Sequence, residues 1–452
     1  MKAKPEAVEK ISKHAAGKPA ALFGCGASAR AAAELLEACG VECEFYQQPG
    51  SAHASGGVDA AESFGKDEAQ RHALAVYSPA FRPDHEWVAA ARENGLETLC
   101  EPDLASLVFG GKIIAVTGTD GKTTTASFLG RALKSAGLDA FCAGNIGVPL
   151  SKFCAEFVRS GECDAEKFAV CELSSFQTAA LARLRPDALI WTNFAEDHLD
   201  WHRDMREYFL SKFNLVKMLR ADKFGKTIFA CGSDVPKAAR QFGIRMPEFA
   251  RVLDFESARI RAELSAPPPF DTFVQAQNFA LAKTLWKEMG LDEAVLRDAA
   301  RGFRLPAYRF GEKTSIGGVD FYNDSKATNA HSAIAALTEL SGRETLVWIG
   351  GGKDKSCSLE GLVGAVEKCA KAAVLIGQTA PALKARLKGL PLGAHVCETL
   401  EEAVEKAYRL CRSKRGAAVL FSPGFSSFGM FSGYGERGKS FDDALLCLKN
   451  FK

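Results

Sequence analysis

The residues best suited to chemistry lie in Gly118-Thr119-Asp120-Gly121-Lys122-Thr123-Thr124-Thr125. They follow an apolar run, Lys112–Val116, that reads as a strand, and they open a stretch that reads as a helix. A glycine-rich turn in that position aims backbone N–H groups at phosphate oxygens, and the helix N-terminus adds partial positive charge. Lys122 would neutralise β- and γ-phosphate charge, and the Thr123 hydroxyl would hold Mg²⁺. The bland alternative is a glycine turn that merely starts a helix, and the Gly-Lys-Thr triplet argues against it. The general phosphate-loop spacing asks for glycine five residues before Gly121. Val116 stands there, so the loop is the compact form Gly-Thr-x-Gly-Lys-Thr.

Two further apolar runs, Phe168–Cys171 and Ala188–Trp191, lead into polar segments. The first is Glu172-Leu173-Ser174-Ser175-Phe176-Gln177; the second runs from Asn193 through Glu196-Asp197-His198-Leu199-Asp200. Glu172 and His198 thus fall just past the carboxyl ends of two strands, where open α/β sheets place ligands. A carboxylate and an imidazole beside a phosphate loop suit Mg²⁺, with phosphate and water completing its shell. A histidine alone is more often structural; the neighbouring loop shifts the balance. Lys212, within Tyr208-Phe209-Leu210-Ser211-Lys212-Phe213, reads by itself as a lysine laying its stem along apolar surface.

The elements that must position these residues follow one rhythm. A short apolar run, a turn and an amphipathic stretch repeat along the chain, which predicts α/β domains with parallel sheets. Three blocks emerge: 1–107, 108–306 and 307–452. The first opens with a strand at Pro19–Phe23, the turn Gly24-Cys25-Gly26 and a helix from about Ser28 to Cys39. That turn, with Ala29 and the later Glu44, also fits a dinucleotide fingerprint, a weak signal alone. The third block holds expected strands at Glu344–Ile349, Ala373–Ile376 and Ala417–Phe421.

The compact loop, the Glu-Leu-Ser-Ser-Phe-Gln hexapeptide, Asn-x-x-x-Asp-His-Leu-Asp and the later Lys212 resemble, in order and spacing, the MurD branch of the Mur ligase superfamily. The resemblance implies three domains: a Rossmann-like N-terminal domain for the UDP substrate, a central P-loop ATP-binding domain, and a Rossmann-like C-terminal domain for glutamate. It implies amide-bond formation between UDP-N-acetylmuramoyl-L-alanine and D-glutamate through an acyl phosphate, with ATP and two Mg²⁺ ions as cofactors. Lys122, Lys212 and His198 would be catalytic. Thr123, Glu172, His198 and a carbamylated Lys212 would hold metal. Gly118, Thr119, Asp120, Gly121, Lys122, Thr123, Thr124, Asn278, Arg309 and Asp324 would bind ATP. Gly24, Gly26, Ser78, Asn145 and His198 would bind the UDP substrate. Lys326, Thr328, Lys355, Ser427 and Tyr434 would face glutamate. The chain departs from the family pattern at Gln277 and Tyr308, where histidine is usual, and at Tyr434, where phenylalanine is usual. No acid suited to contacting uracil stands in Phe45-Tyr46-Gln47-Gln48.

Bulk properties agree. The chain has 452 residues, 47% hydrophobic and 25% charged, enough for several cores. Its 57 basic and 55 acidic side chains leave a net charge of +2, which gives no electrostatic case for nucleic acid or an anionic membrane. The 14 cysteines lie singly, without a zinc or disulfide framework, and suggest a reducing compartment. The charged N-terminus lacks an apolar signal core, and no run nears the roughly 18 apolar residues of a membrane span. A cytoplasmic monomer acting on small molecules is expected. The rivals are another ligase of the superfamily, a silent nucleotide-binding homologue, or an NAD-dependent dehydrogenase built on the first block.

Overall fold

The computed structural model describes residues 5–450, except 50–57, 163, 221–223, 256–265 and 312. The chain forms two compact units. The first comprises Met1–Phe194, Arg206–Leu264 and Asn278–Gly302; the second comprises Ala195–Met205, Ser265–Gln277 and Phe303–Lys452.

The first unit carries two parallel sheets. One contains β1 (Ala20–Phe23), β2 (Cys43–Tyr46), β3 (Ala60–Ala61), β4 (Leu74–Tyr77) and β5 (Glu97–Cys100), in the order β3-β2-β1-β4-β5. The other contains β6 (Lys112–Thr117), β7 (Ala140–Gly144), β8 (Phe168–Glu172), β9 (Ala188–Trp191), β10 (Ile228–Gly232) and β11 (Arg251–Leu253), in the order β11-β10-β9-β6-β8-β7. Every residue of β1, β4, β8, β9 and β10 is buried. That is why these strands read as unbroken apolar runs rather than alternating ones: helices cover both faces of a parallel sheet.

The chain crosses from β8, on one side of β6, to β9 on the other. The switch opens a crevice at the carboxyl end of β6, the usual ligand position in open α/β sheets. Register places Val116 beside Glu172 and Thr117 beside Trp191, so the phosphate loop, Glu172 and the residues after β9 share one sheet edge. The helix Glu101–Val108 joins the two sheets. The three backbone N–H groups of Ala182, Arg183 and Leu184 donate to the Asp103 carboxylate, and Ser151 N–H donates to Glu101.

The second unit carries β12 (Lys313–Ile316), β13 (Val319–Asn323), β14 (Thr345–Gly350), β15 (Ala372–Leu375), β16 (Ala394–Val396) and β17 (Ala417–Phe421). Their order is β12-β13-β17-β14-β15-β16. Only β12 runs antiparallel, closing a hairpin with β13 at Gly317-Gly318. Side chains alternate between two cores. Leu346, Trp348 and Leu375 pack with Leu337 and Leu362 on one face; Val347, Ile349 and Phe421 pack with Val404 and Phe441 on the other.

The apolar runs locate the strands to within a residue. Ala188–Trp191 and Ala417–Phe421 fall where expected. The strand expected at Phe168–Cys171 extends to Glu172, because Glu172 still pairs with Val116 and Gly144 in the ladder. The short edge strands β3, β11 and β16 carry too few residues to show a period. No helix among the described residues is long and apolar enough to cross a membrane.

Candidate active site

In the first unit the site grows from the end of β6. Gly118 and Gly121 have φ of +147° and +78°, conformations that L side chains rarely adopt. A Cβ at Gly118 would lie 1.8 Å from Thr192 Oγ1, and one at Gly121 would lie 2.2 Å from Asn278 Oδ1. The loop is therefore pressed against its surroundings at both glycines. Gly121 caps the helix Lys122–Ser135, whose first internal bond is Thr125 N–H to Gly121 C=O. The amides of Lys122, Thr123 and Thr124 are consequently the donors left at the helix N-terminus, where an anion is favoured.

Two ammonium groups meet at the same loop. Lys122 Nζ donates to the carbonyls of Gly118 at 2.9 Å and Thr119 at 2.7 Å. Lys212 Nζ, buried on the helix Met205–Met218, donates to Gly118 C=O at 2.8 Å and lies 4.7 Å above the Tyr208 ring. Asn193, just past β9, holds the other side: its Oδ1 accepts from the amides of Thr119 (3.1 Å) and Asp120 (2.8 Å).

Glu172 and Asn145 are brought together at the ends of β8 and β7. Asn145 Nδ2 donates to Glu172 Oε1 at 2.8 Å, and Asn145 N–H donates to Glu172 C=O. Glu172 is buried, and its Oε2 has no hydrogen-bond partner. A buried carboxylate oxygen without a donor, on the edge that bears the phosphate loop and Thr123, fits a divalent cation. Among the described residues no cluster of three His, Cys, Asp or Glu side chains forms a metal cage of its own. Around β1, Gly24 takes φ +100°, and a Cβ there would sit 2.7 Å from Ser78 Oγ; Gly26 caps the helix Ala27–Ala38. Gln47 Oε1 accepts from Cys25 N–H at 3.0 Å, so an amide stands beside the turn.

In the second unit the expected glutamate residues separate into groups. Lys326 Nζ lies 4.1 Å above the Tyr434 ring, joining those two. Ser427 is buried on the loop after β17, and Thr328 is half-buried on the loop after β13. Lys355 instead donates to Asp197 Oδ1 at 2.8 Å. His198 N–H donates to the same oxygen at 2.8 Å, and Asn329 Nδ2 donates to Oδ2 at 3.1 Å. Burial alone would raise the Asp197 pKa. The charges of His198 and Lys355, with the Lys355 and Asn329 hydrogen bonds, outweigh it and hold the carboxyl below its ordinary value.

Asp324, expected at the ATP ribose, accepts from Phe310 N–H (2.9 Å) and Ser422 Oγ–H (2.7 Å), and so fixes the start of the block. Arg309 lines a cavity of about 380 Å³ with Tyr308, Asn323 and Asp442. Arg437, fully buried, spans two loops: it donates to Ser325 Oγ, Ser325 C=O and Phe425 C=O. Burial pushes its pKa down to about 10, while Asp324 opposes the shift. Asn193, Asp197, Asn329 and Arg437 escaped the sequence reading. Asn193 and Asp197 stand in the His198 segment, Asn329 closes the segment that bears Asp324, Lys326 and Thr328, and Arg437 follows Tyr434 by three residues, so nearness to an expected site residue was the available signal.

A glycine-capped phosphate loop at a sheet switch point, with two lysines on one loop carbonyl and a buried carboxylate alongside, defines a P-loop α/β protein built to handle phosphoryl groups. Family models match residues 116–255 (Mur ligase middle domain) and 308–425 (Mur ligase, glutamate ligase domain). Curated relatives named UDP-N-acetylmuramoylalanine--D-glutamate ligase include one from Geotalea daltonii, 33% identical over 83% of both chains. Another, from Leuconostoc mesenteroides, is 30% identical over 94% of this chain and 96% of its own. The fold also matches the UDP-N-acetylmuramate-alanine ligase MurC of Thermotoga maritima, with a TM-score of 0.55 and 15% identity over 95% of this chain and 99% of that one. The chain belongs to the Mur ligase family, in the branch whose curated members carry the glutamate-ligase name.

Proposed function

We propose that this protein joins UDP-N-acetylmuramoyl-L-alanine to D-glutamate at the expense of ATP, in the cytoplasm, as a step of peptidoglycan precursor synthesis. The observation that carries the reading is the phosphate loop, with Gly118 and Gly121 in left-handed conformations and Lys122 opening the helix, beside the unpartnered carboxylate oxygen of Glu172. The names of the relatives point to the same reaction.

A carboxylate is a poor acylating agent until an oxygen is turned into a leaving group. The terminal carboxylate of the alanyl substrate attacks the γ-phosphorus of ATP; ADP leaves and an acyl phosphate forms. The amine of glutamate then attacks the acyl carbon, loses a proton, and expels inorganic phosphate. The first half is phosphoryl transfer, in which positioning and charge neutralisation dominate. Lys122 and the amides of Lys122, Thr123 and Thr124 supply both at the loop. Asn193 stiffens that loop by holding two of its amides. Asn278, against Gly121, with Arg309 and Asp324, completes the nucleotide contacts of the reading. Asn145, His198, the turn of Gly24 and Gly26, and Ser78 on the loop after β4 serve the UDP substrate. Lys326, Thr328, Lys355, Ser427 and Tyr434 serve the amino acid.

Thr123, Glu172, His198 and Lys212 are suited to hold Mg²⁺, Lys212 as the carbamate that its deprotonated amine forms with CO₂ on losing a further proton. The ions would supply further neutralisation of phosphate charge. The unpartnered oxygen of Glu172 supports this assignment.

The test is phosphate release from ATP and Mg²⁺ with UDP-N-acetylmuramoyl-L-alanine, plus D-glutamate, L-glutamate or neither. Release that requires the nucleotide substrate and D-glutamate is expected. Release with L-glutamate alone keeps the chemistry and reverses the enantiomer. Release with a different amino acid points to another ligase of the superfamily, and none from folded, ATP-binding protein ends the ligase reading.

A further inference from the structure

Asp197 is a buried hub, and its surroundings point to use in the reaction. Its two oxygens gather Lys355, Asn329 and the His198 amide, while His198 Nε2 lies 3.6 Å from Oδ2. Asn329 is itself fixed from the other side. It caps the helix Ala330–Glu339 by accepting from Ser332 N–H at 2.9 Å, which leaves its amide no freedom to swing away from Asp197. The residue after each member of the ion pair is strained: His198 has φ +57° and Ser356 φ +60°, left-handed values in side-chain-bearing residues. The Lys355 loop is also tied to the Ser427 loop, because Lys353 N–H donates to Ser426 C=O at 2.9 Å.

Stability alone accounts poorly for such a pair. Burying both charges gives back most of their attraction, and apolar side chains would hold the two loops as well. What the pair does provide is a fixed ammonium. A lysine stem samples many rotamers, and a buried, doubly anchored carboxylate confines its end to one place. The ammonium has three N–H donors and Asp197 accepts one, so two remain for another acceptor.

We propose that Asp197 is a positioning residue for the amino-acid substrate: it anchors the Lys355 ammonium, beside His198 and the Ser427 loop, so that the remaining donors of Lys355 meet a substrate carboxylate. The proposal rests on the ligase reading above. It differs from a latch in which Asp197 competes with the substrate for Lys355, and the two give opposite results.

Initial rates on the full chain, with each substrate varied in turn, decide it. For Asp197→Asn the KM for D-glutamate rises about tenfold or more, while the KM for ATP stays within about twofold. Lys355→Met gives a rise of similar size, and the double variant adds little to either single change, as expected of residues acting as a unit. Asn329→Ser keeps a helix-capping oxygen but loses the reach to Asp197. It gives a smaller rise, about threefold, and provides the measurement if Asp197→Asn does not fold. An unchanged KM for D-glutamate in folded Asp197→Asn and Asn329→Ser overturns the proposal. A lowered KM overturns it in favour of the latch. An equal rise in all three KM values with a lower melting temperature reduces Asp197 to a structural part. Wild-type protein that shows no D-glutamate-dependent phosphate release defeats the ligase reading itself, whatever the variants do.

Discussion

At the scale of single residues the phosphate loop sets the sharpest expectations. Lys122 is the loop's own counter-charge, so Lys122→Ala should lower kcat/KM by about 10³-fold or more, roughly 4 kcal/mol of barrier. A near-normal rate in phosphate release would remove Lys122 from the mechanism. Lys212 distinguishes a plain ammonium from a carbamate. Lys212→Arg keeps a cation able to reach the Gly118 carbonyl but cannot carry a carbamate. Loss of at least about 10²-fold in kcat is expected of the arginine variant; retained activity would show that the positive charge suffices. Gly121 holds φ +78° with Asn278 2.2 Å from the site of a Cβ. Gly121→Ala should therefore raise the KM for ATP and lower the melting temperature, with about 1 kcal/mol or more coming from the backbone conformation alone.

At the scale of elements, the helix Glu101–Val108 matters because its acids join two sheets. Glu101 is fully buried. Desolvation pushes its pKa up to about 7, against the lowering effect of the Ser151 hydrogen bonds. Burial raises Asp103 as well, despite three backbone donors. A carboxyl whose folded pKa lies above its unfolded value favours folding below about pH 4.3, and that contribution is lost as pH rises through about 7. At about 1.4 kcal/mol per unit the loss is on the order of 3 kcal/mol. Glu101→Gln keeps an oxygen for Ser151 N–H and removes the titration. The urea midpoint of the wild type should be lower at pH 8 than at pH 5, and the drop should be distinctly smaller in the variant. Equal drops in both would place the Glu101 proton elsewhere in the pH range.

At the scale of the whole molecule, the reading requires three substrates to act together. Phosphate release should be negligible when UDP-N-acetylmuramoyl-L-alanine is omitted, which a coupled phosphate assay at saturating ATP will show. Release at the full rate without it would mark a simple ATPase. The near-balanced charge, +2 over the whole chain, fits a protein whose partners are small molecules. Sedimentation at micromolar concentration should give the mass of one 452-residue chain.

The sequence alone determined the sheet-forming runs, because strands covered on both faces must be apolar throughout, as β1, β8 and β9 are. It also determined the phosphate loop, since a glycine turn between strand and helix with Lys122 and Thr123 is local chemistry, readable without knowing what lies across from it. It placed Glu172 to within a residue, and it marked Asn193 and Asp197 only by their nearness to His198. Tertiary structure decided the rest. Lys212 read from its neighbours alone as a lysine laying its stem along apolar surface; the family resemblance set it at the phosphate site, and the fold buries it with its ammonium on the Gly118 carbonyl 94 residues away. Lys355 read as a free cation for a substrate, and only the fold sets it on Asp197, 158 residues distant. Such pairings depend on which loops leave the same ends of the sheets, and that is fixed by strand order and register. No local spacing of residue types encodes them.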